Sequence, residues 1–290
     1  MTEPSRRVAV RGLPYLALAT ALLQRARMAD ATGGIWEAAD VQWWSRQASH
    51  TDEHDQVFWL DHDGVPTAGA LRTDFASAVQ FDVVSLPGRA ADAAAAWREA
   101  LGQAAATSGA ALAVRADDGA GVQTVLAAGY RPERGPGIVS SWLDAGGRPA
   151  IPALAPGFEL LSRAEAPDGP HPLALRNGRD VEDRLRRCSL YLPELDLSVV
   201  GPDGQVAGYG VFWADPVTRV GLVEPMRTEQ PFQGRGVASH LLAAGLDRLA
   251  RRGCSRLKVS NDIGLYLRAG FRPLPTAAAA MYCWPTAEIR

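Results

Sequence analysis

The sequence predicts an α/β fold built twice over, each copy a twisted, mostly antiparallel mixed sheet flanked by helices. Three observations carry that reading. The chain has 290 residues, 47% of them hydrophobic, enough for two ordinary cores. Pairs of short motifs recur about 140 residues apart. In the last quarter, an apolar strand from Val220 to Thr228 leads through a Gly-rich corner straight into an amphipathic helix.

Taken in order, the first copy begins with a strand near Arg7–Arg11, a helix over Pro14–Asp30 and a second helix over Ala38–Ala48. Gln56–Asp61 and Thr67–Phe75 read as a hairpin around Asp63-Gly64, since Asp-Gly between apolar runs favours a tight turn. A strand at Val79–Ser85, an Ala-rich helix at Ala90–Thr107, a strand at Ala111–Arg115, a short helix at Val122–Ala128 and a last strand at Gly137–Leu143 complete it. The second copy repeats the plan. His62-Asp63-Gly64 and Thr67-Ala68-Gly69 answer to Pro202-Asp203-Gly204 and Val206-Ala207-Gly208. Ala128-Gly129-Tyr130-Arg131-Pro132 answers to Ala269-Gly270-Phe271-Arg272-Pro273, and each copy ends in a strand with a tryptophan, Trp142 or Trp284. Ala145–Pro156, rich in Gly, Pro and Ala, reads as the linker, which sets the domains at 1–146 and 147–290.

Charge and cysteine content narrow the function classes. A net charge of −2 gives no nucleic-acid surface. Cys188, Cys254 and Cys283 are isolated, which predicts a reducing, cytoplasmic setting with no disulfide framework and no metal. Arg6, Arg7 and Arg11 precede an apolar run, Leu13 to Leu23, but Pro14 suits the first turn of a folded helix, so a secretion signal is not expected. No run is long enough to span a membrane.

The corner Gln233-Gly234-Arg235-Gly236-Val237-Ala238-Ser239 is the candidate site. A helix opened by glycines leaves backbone N–H groups unpaired at the positive end of its dipole, which favours an anion, and glycines let a ligand approach the backbone closely. No Gly-Lys-Ser/Thr follows, so this is not a P-loop, and the glycine spacing is not that of a dinucleotide fingerprint. The order strand, corner, helix, strand (Ser255–Ser260), short helix with Tyr266, then Gly270-Phe271 resembles the GNAT family, the GCN5-related N-acetyltransferases. The family pattern Gln/Arg-x-x-Gly-x-Gly/Ala falls on Gln233, Gly236 and Ala238. The first copy has Ser85-Leu86-Pro87-Gly88-Arg89-Ala90 at the matching place, so it is expected to be a degenerate copy serving as scaffold and substrate wall.

The resemblance implies an enzyme that moves an acetyl group from acetyl-CoA directly to a primary amine of a small molecule or peptide. In that reading the amides from Gly234 to Ser239, with Gln233, hold the diphosphate. Met226, Arg227 and Thr228 offer backbone to the pantetheine, with Asn261 beside it, and Tyr266 protonates the departing thiolate. Glu224 shares a strand face with Leu222 and Met226, where apolar surroundings raise a carboxylate's pKa, so it is either the general base or a structural carboxylate. Many family members carry a glutamate two positions earlier, where this chain has Leu222. That departure keeps open a non-catalytic acyl-CoA-binding or sensing module, and another acyl group or a protein lysine is the further alternative. The protein is expected to be a monomeric pseudo-dimer or a homodimer.

Other features receive plainer readings. His50 and His54 are expected in a solvated loop without a third metal ligand, and His240 is expected to be exposed. Arg184, Arg186 and Arg187 follow Asp180, Glu182 and Asp183 at helical ion-pair spacing. Trp36, Trp43 and Trp44 are read as core or inter-domain packing.

Overall fold

The computed structural model describes residues 5–75, 78–135, 137–275 and 278–285. The chain forms two compact units, Met1–Val139 together with Pro275–Arg290, and Ser140–Leu274. Each is a mixed sheet of seven strands flanked by helices.

Unit 1 runs β1 (Arg6–Val10), α1 (Gly12–Ala29), α2 (Ala38–Trp44), α3 (Ala48–Thr51), β2 (Gln56–Leu60), β3 (Pro66–Phe75), β4 (Ala78–Ser85), α4 (Ala90–Ala105), β5 (Ala110–Arg115), α5 (Gly119–Ala127) and β6 (Arg131–Pro132). Unit 2 follows with β7 (Ser141–Asp144), β8 (Glu159–Ser162), α6 (Ala174–Asn177), α7 (Val181–Leu185), β9 (Asp196–Val200), β10 (Val206–Ala214), β11 (Val220–Thr228), α8 (Val237–Arg251), β12 (Arg256–Val259), α9 (Gly264–Arg268) and β13 (Arg272–Pro273). The chain then returns to unit 1 as β14 (Ala279–Cys283).

The first sheet has the order β1-β2-β3-β4-β5-β14-β6, the second β13-β7-β12-β11-β10-β9-β8. In each, one central pair is parallel, β4 with β5 and β11 with β12, and the rest are antiparallel. The two last strands are exchanged. The strand containing Trp142 pairs with β12 and β13, and β14 from the chain end pairs with β5 and β6. The expected boundary at 146/147 thus falls after the chain has already entered unit 2 at Ser140, and the last residues belong to unit 1. Both closing strands are short and follow the same Gly-aromatic-Arg-Pro motif, so the motif does not mark which sheet each joins.

Burial explains the layers. In unit 1, Phe81, Leu112 and Val114 pack with Ala96, Trp97 and Ala100 of α4 on one face of the sheet. Tyr15 of α1 meets Phe58 on the other, with ring centroids 6.3 Å apart. Trp36, Trp44 and Phe75 form a chain of edge-on rings, with Trp43 and Trp44 buried in unit 1 and Trp36 half-buried at its margin. His50 lies in α3, buried, with Nδ1 3.2 Å from the Trp44 carbonyl oxygen, rather than in a solvated loop. The reason is its place beneath Phe75, whose ring it faces at 5.8 Å.

In unit 2, Leu241, Leu242, Leu246 and Leu249 of α8 cover Phe212, Val223, Leu257 and Val259. Glu182 of α7 pairs with Arg186 one turn on, as the spacing predicts, and also with Arg163. Gly245 of α8 is buried where Phe212 crosses, and a methyl added there would fall inside the phenyl ring. Gly245→Ala is therefore expected to destabilise the protein by about 1–3 kcal/mol through overpacking, although Ala is the better helix former. Denaturant unfolding measures it, and an unchanged or raised midpoint would show that α8 shifts freely.

Candidate functional site

The site is built where β11 parts from β12. Their parallel pairing runs through Val220↔Arg256 and Gly221↔Leu257 and ends at Leu222↔Lys258, while β11 goes on to Thr228 against β10 alone. The Glu229 N–H donates to the Ala207 carbonyl (2.9 Å), which fixes the alternation of the antiparallel ladder. By that alternation the backbone of Arg227 faces β10, opposite Tyr209, and the backbones of Met226 and Thr228 face the open side. Of the three strand residues named from the sequence, two present backbone to the cleft. The Arg227 side chain is exposed and pairs with Glu229 at 3.3 Å.

At the mouth of this cleft the chain turns into α8. Gly234 and Gly236 have φ of 75° and 80°, the left-handed region that favours glycine, and a Cβ at either would meet nothing within 4 Å. The Gln233 N–H donates to Gln230, and the next amide with an acceptor in the chain is His240, to Gly236 at 3.0 Å. The amides from Gly234 to Ser239 between them have no acceptor among the described residues, and the corner is exposed at Gln233–Gly236. Arg235 lies over the Phe232 ring at 5.7 Å, leaving its charge at the same corner. The Gln233 amide donates to the Thr228 carbonyl at 3.4 Å. His240 is partly exposed, with Nδ1 2.6 Å from the Pro152 carbonyl oxygen.

Deeper in, Glu224 follows Val223, which lies under α8, and so faces the other side of the sheet. The Trp213 indole N–H donates to its backbone carbonyl at 2.7 Å. Tyr266 of α9 is buried against Phe271, with ring centroids 5.9 Å apart. Burial and then the charge of Glu224 push its phenol up to about 12, so it keeps its proton at neutral pH. Glu224 and Tyr266, 42 positions apart in the numbering, therefore share one electrostatic neighbourhood. Leu222 is buried between Trp213 and Lys258. Asn261 is exposed and its side-chain oxygen accepts the Ile263 N–H at 3.0 Å, so its amide oxygen is engaged in the turn that leads into α9.

Sequence reading passed over several groups here. Lys258 is fully buried, its ammonium 5.8 Å from the Trp142 ring. Behind Trp213, Tyr191 packs on the indole and donates to Asp196 Oδ2 at 2.7 Å. His171 Nδ1 accepts the Leu173 N–H, so Nε2 carries the hydrogen and donates to the same Asp196 oxygen at 2.6 Å. Burial, and then Asp196, raise the Tyr191 phenol far above its ordinary value. No spacing marks these residues, and only the fold brings them together. The Thr228 Oγ1 and the Ser260 Oγ are buried without any hydrogen-bond partner, one on β11 and one just past β12. Among the described residues no three His, Cys, Asp or Glu side chains could hold a metal, and no helix is long and apolar enough to cross a membrane.

Residues 161–271, which hold this whole site, match the model of the acetyltransferase (GNAT) family. A search of the curated proteins finds no match. Among solved structures, the chain is similar to a GCN5-related N-acetyltransferase from Sphaerobacter thermophilus, at 19% identity and a TM-score of 0.55 over 96% of this chain and 95% of that one. It is similar to a tandem GNAT protein from the clavulanic acid biosynthesis pathway, at 16% identity and a TM-score of 0.63 over 96% and 97%. A third likeness is to the C-terminal domain of a putative lysylphosphatidylglycerol synthetase from Agrobacterium fabrum, at 13% identity and a TM-score of 0.55 over 96% and 94%. At these identities the likeness is one of fold. Within unit 2, residues 161–271 thus match the GNAT family model, and the two-unit fold is similar to that of a tandem GNAT protein.

The orphan hydroxyls give a test that needs no ligand. A buried hydroxyl without a partner costs about 1–3 kcal/mol, so Thr228→Val and Ser260→Ala are expected to leave the stability of the free protein unchanged or to raise it. A marked fall in the unfolding midpoint would mean that each hydroxyl already has a partner in solution.

Proposed function

We propose that unit 2 transfers an acetyl group from acetyl-CoA directly to a primary amine of a small molecule or peptide. The observation that carries this reading is the run of unpaired amides from Gly234 to Ser239 beside a strand edge left open by β12. Those amides, the positive end of α8 and Arg235 suit a diphosphate. The free backbone at Met226 and Thr228 suits the amides of an extended pantetheine arm, which would add to β11 as a strand does. The orphan Thr228 and Ser260 hydroxyls fit a polar guest in the same cleft.

Acetyl-CoA, when bound there, supplies an activated thioester carbonyl. Glu224 takes the proton that the amine nitrogen gives up as its bond to the carbonyl carbon forms, directly or through a water. Tyr266 donates its phenolic proton to sulfur as the carbon–sulfur bond breaks, and is reprotonated from solvent. Its raised pKa holds the proton in place until negative charge appears on sulfur. No thiol is placed for a covalent route. Cys254 is buried and pushed up to about 11, chiefly by desolvation, Cys188 is buried, and Cys283 belongs to unit 1.

Two measurements test the reading. CoA is expected to raise the unfolding temperature, by the equivalent of about 2.7 kcal/mol at a hundredfold excess over Kd, and Gly236→Val to remove that protection. Release of free thiol from acetyl-CoA over a panel of amines is expected to fall ~100-fold or more in kcat with Tyr266→Phe, with CoA protection intact. No protection by CoA overturns the binding site. Protection without amine-dependent thiol release leaves an acyl-CoA-binding module, which Leu222 in place of a glutamate would fit.

A further inference from the structure

Unit 1 has a second cleft at the matching break in its own sheet. β4 pairs with β5 only as far as Asp82↔Ala113, and the strands then part. The Leu86 N–H donates to the Thr67 carbonyl, which turns the backbones of Val83 and Ser85 toward the gap. The gap is a cavity of about 330 Å³.

Asp82 lines it, only 2% exposed. It follows Phe81 as Glu224 follows Val223, each after a residue buried beneath the helix. One carboxylate oxygen accepts the Trp36 indole N–H (2.7 Å) and the other the Gln80 amide (2.8 Å). Both donors are neutral, and among the described residues no cation pairs with it. Desolvation pushes it up to about 6. A buried carboxylate without a counter-charge is costly, and structure alone gives no reason to keep one.

The rest of the cavity is acidic on balance. Its two cations are engaged, Arg27 with Glu37 and Arg115 with Asp117. Of its other carboxylates, Asp30 accepts backbone N–H groups and a threonine hydroxyl and also feels the Arg115 charge, and Asp118 accepts a backbone N–H. The corner before α4 has one left-handed glycine, Gly88, and an acid, Asp92, in the first helical turn, both of which disfavour a diphosphate. The buried Tyr15 hydroxyl, close enough to feel the charge of Asp82, has no partner.

We propose that this cleft binds a small organic amine as its ammonium ion, seated on Asp82 with its carbon body against Trp36, Leu23, Val84 and Val114. The ligand class differs from that of unit 2, and the proposal stands whether or not unit 2 transfers an acyl group.

Calorimetric titration of the full chain at pH 8 with phenethylamine and putrescine, both ammonium ions there, tests it against 2-phenylethanol, a neutral near-isostere. The amines are expected to bind ~10-fold or more tighter than the alcohol, and Asp82→Asn to erase the difference. Val84→Phe, which fills the cavity and leaves the carboxylate, should block binding too. The groups facing Asp82 are Tyr15 of α1, Trp36, Asp40 of α2 and Gln80 on its own strand. With its folded pKa raised, Asp82 favours the fold at low pH, and that stability is lost as pH rises from 3.8 to about 6. Asp82→Asn should therefore raise the unfolding temperature at pH 8, which loss of a merely structural carboxylate would lower. Alcohol bound as tightly as amine, an affinity untouched by Asp82→Asn, or no binding of either amine at ~1 mM would overturn the proposal. So would displacement of the amine by CoA in the Gly236→Val protein, which would make the cleft a second acyl-carrier site.

Discussion

The parallel ladder between β11 and β12 ends at Leu222 and Lys258, and unit 2 is arranged around that ending. Past it, β11 keeps one neighbour and exposes backbone groups that a continuous sheet would satisfy. Several features surround the ending. The Trp213 indole fastens the Glu224 carbonyl, Gly221 lets Leu249 and Leu257 close beneath the paired half, and the register of β10 slips between Gly210 and Phe212. Backbone groups left in this way must be met by water or a guest, because burying them unpaired is expensive. An opening kept at such cost, beside a helix whose first amides are also free, supports the binding role proposed for it.

The same interruption occurs in unit 1 after Asp82 and Ala113, and the two clefts differ in charge rather than in plan. In unit 2 the corner has two left-handed glycines and an arginine, and no acid stands in the first turn of α8. In unit 1 the corner has one such glycine, and Asp92 turns inward from the first turn of α4 to accept the Ser5 and Thr67 hydroxyls. A handful of loop positions make the difference, one corner offering free amides and an arginine and the other an acid. The scaffold role expected of the first copy takes no account of its cavity.

What could be read from the sequence was local. The corner at Gln233–Ser239, the hairpin at Asp63-Gly64 and the amphipathic face of α8 are each fixed by residues a few positions apart, and each lies where the pattern puts it. Whatever depends on which strand meets which was not legible. The two closing strands look alike from their residues, so their exchange between sheets leaves no mark. His50 looks solvated among charged neighbours and is buried because Phe75 covers it. His171, Tyr191 and Asp196 meet only after the chain has folded across the face of β9 and β10 opposite α8. Asp82 reads as one of three polar residues in β4, with Gln80 and Ser85, and its environment appears only with α1 and Trp36 in place.

Orphan polar atoms point the same way as the strand geometry. Ser141 pairs with Val259 at the end of β12, and Ser260 follows it, so the unpartnered hydroxyls of Ser140, Ser141 and Ser260 gather at the end of the sheet where β11 and β12 diverge. Thr228 adds another from the far side of the gap. Cores of this kind leave few buried polar groups unsatisfied, and chance would scatter them among the layers. Gathered beyond the carboxyl ends of two parallel strands, where open α/β sheets take their ligands, they describe a surface shaped for polar contacts that the chain does not itself supply.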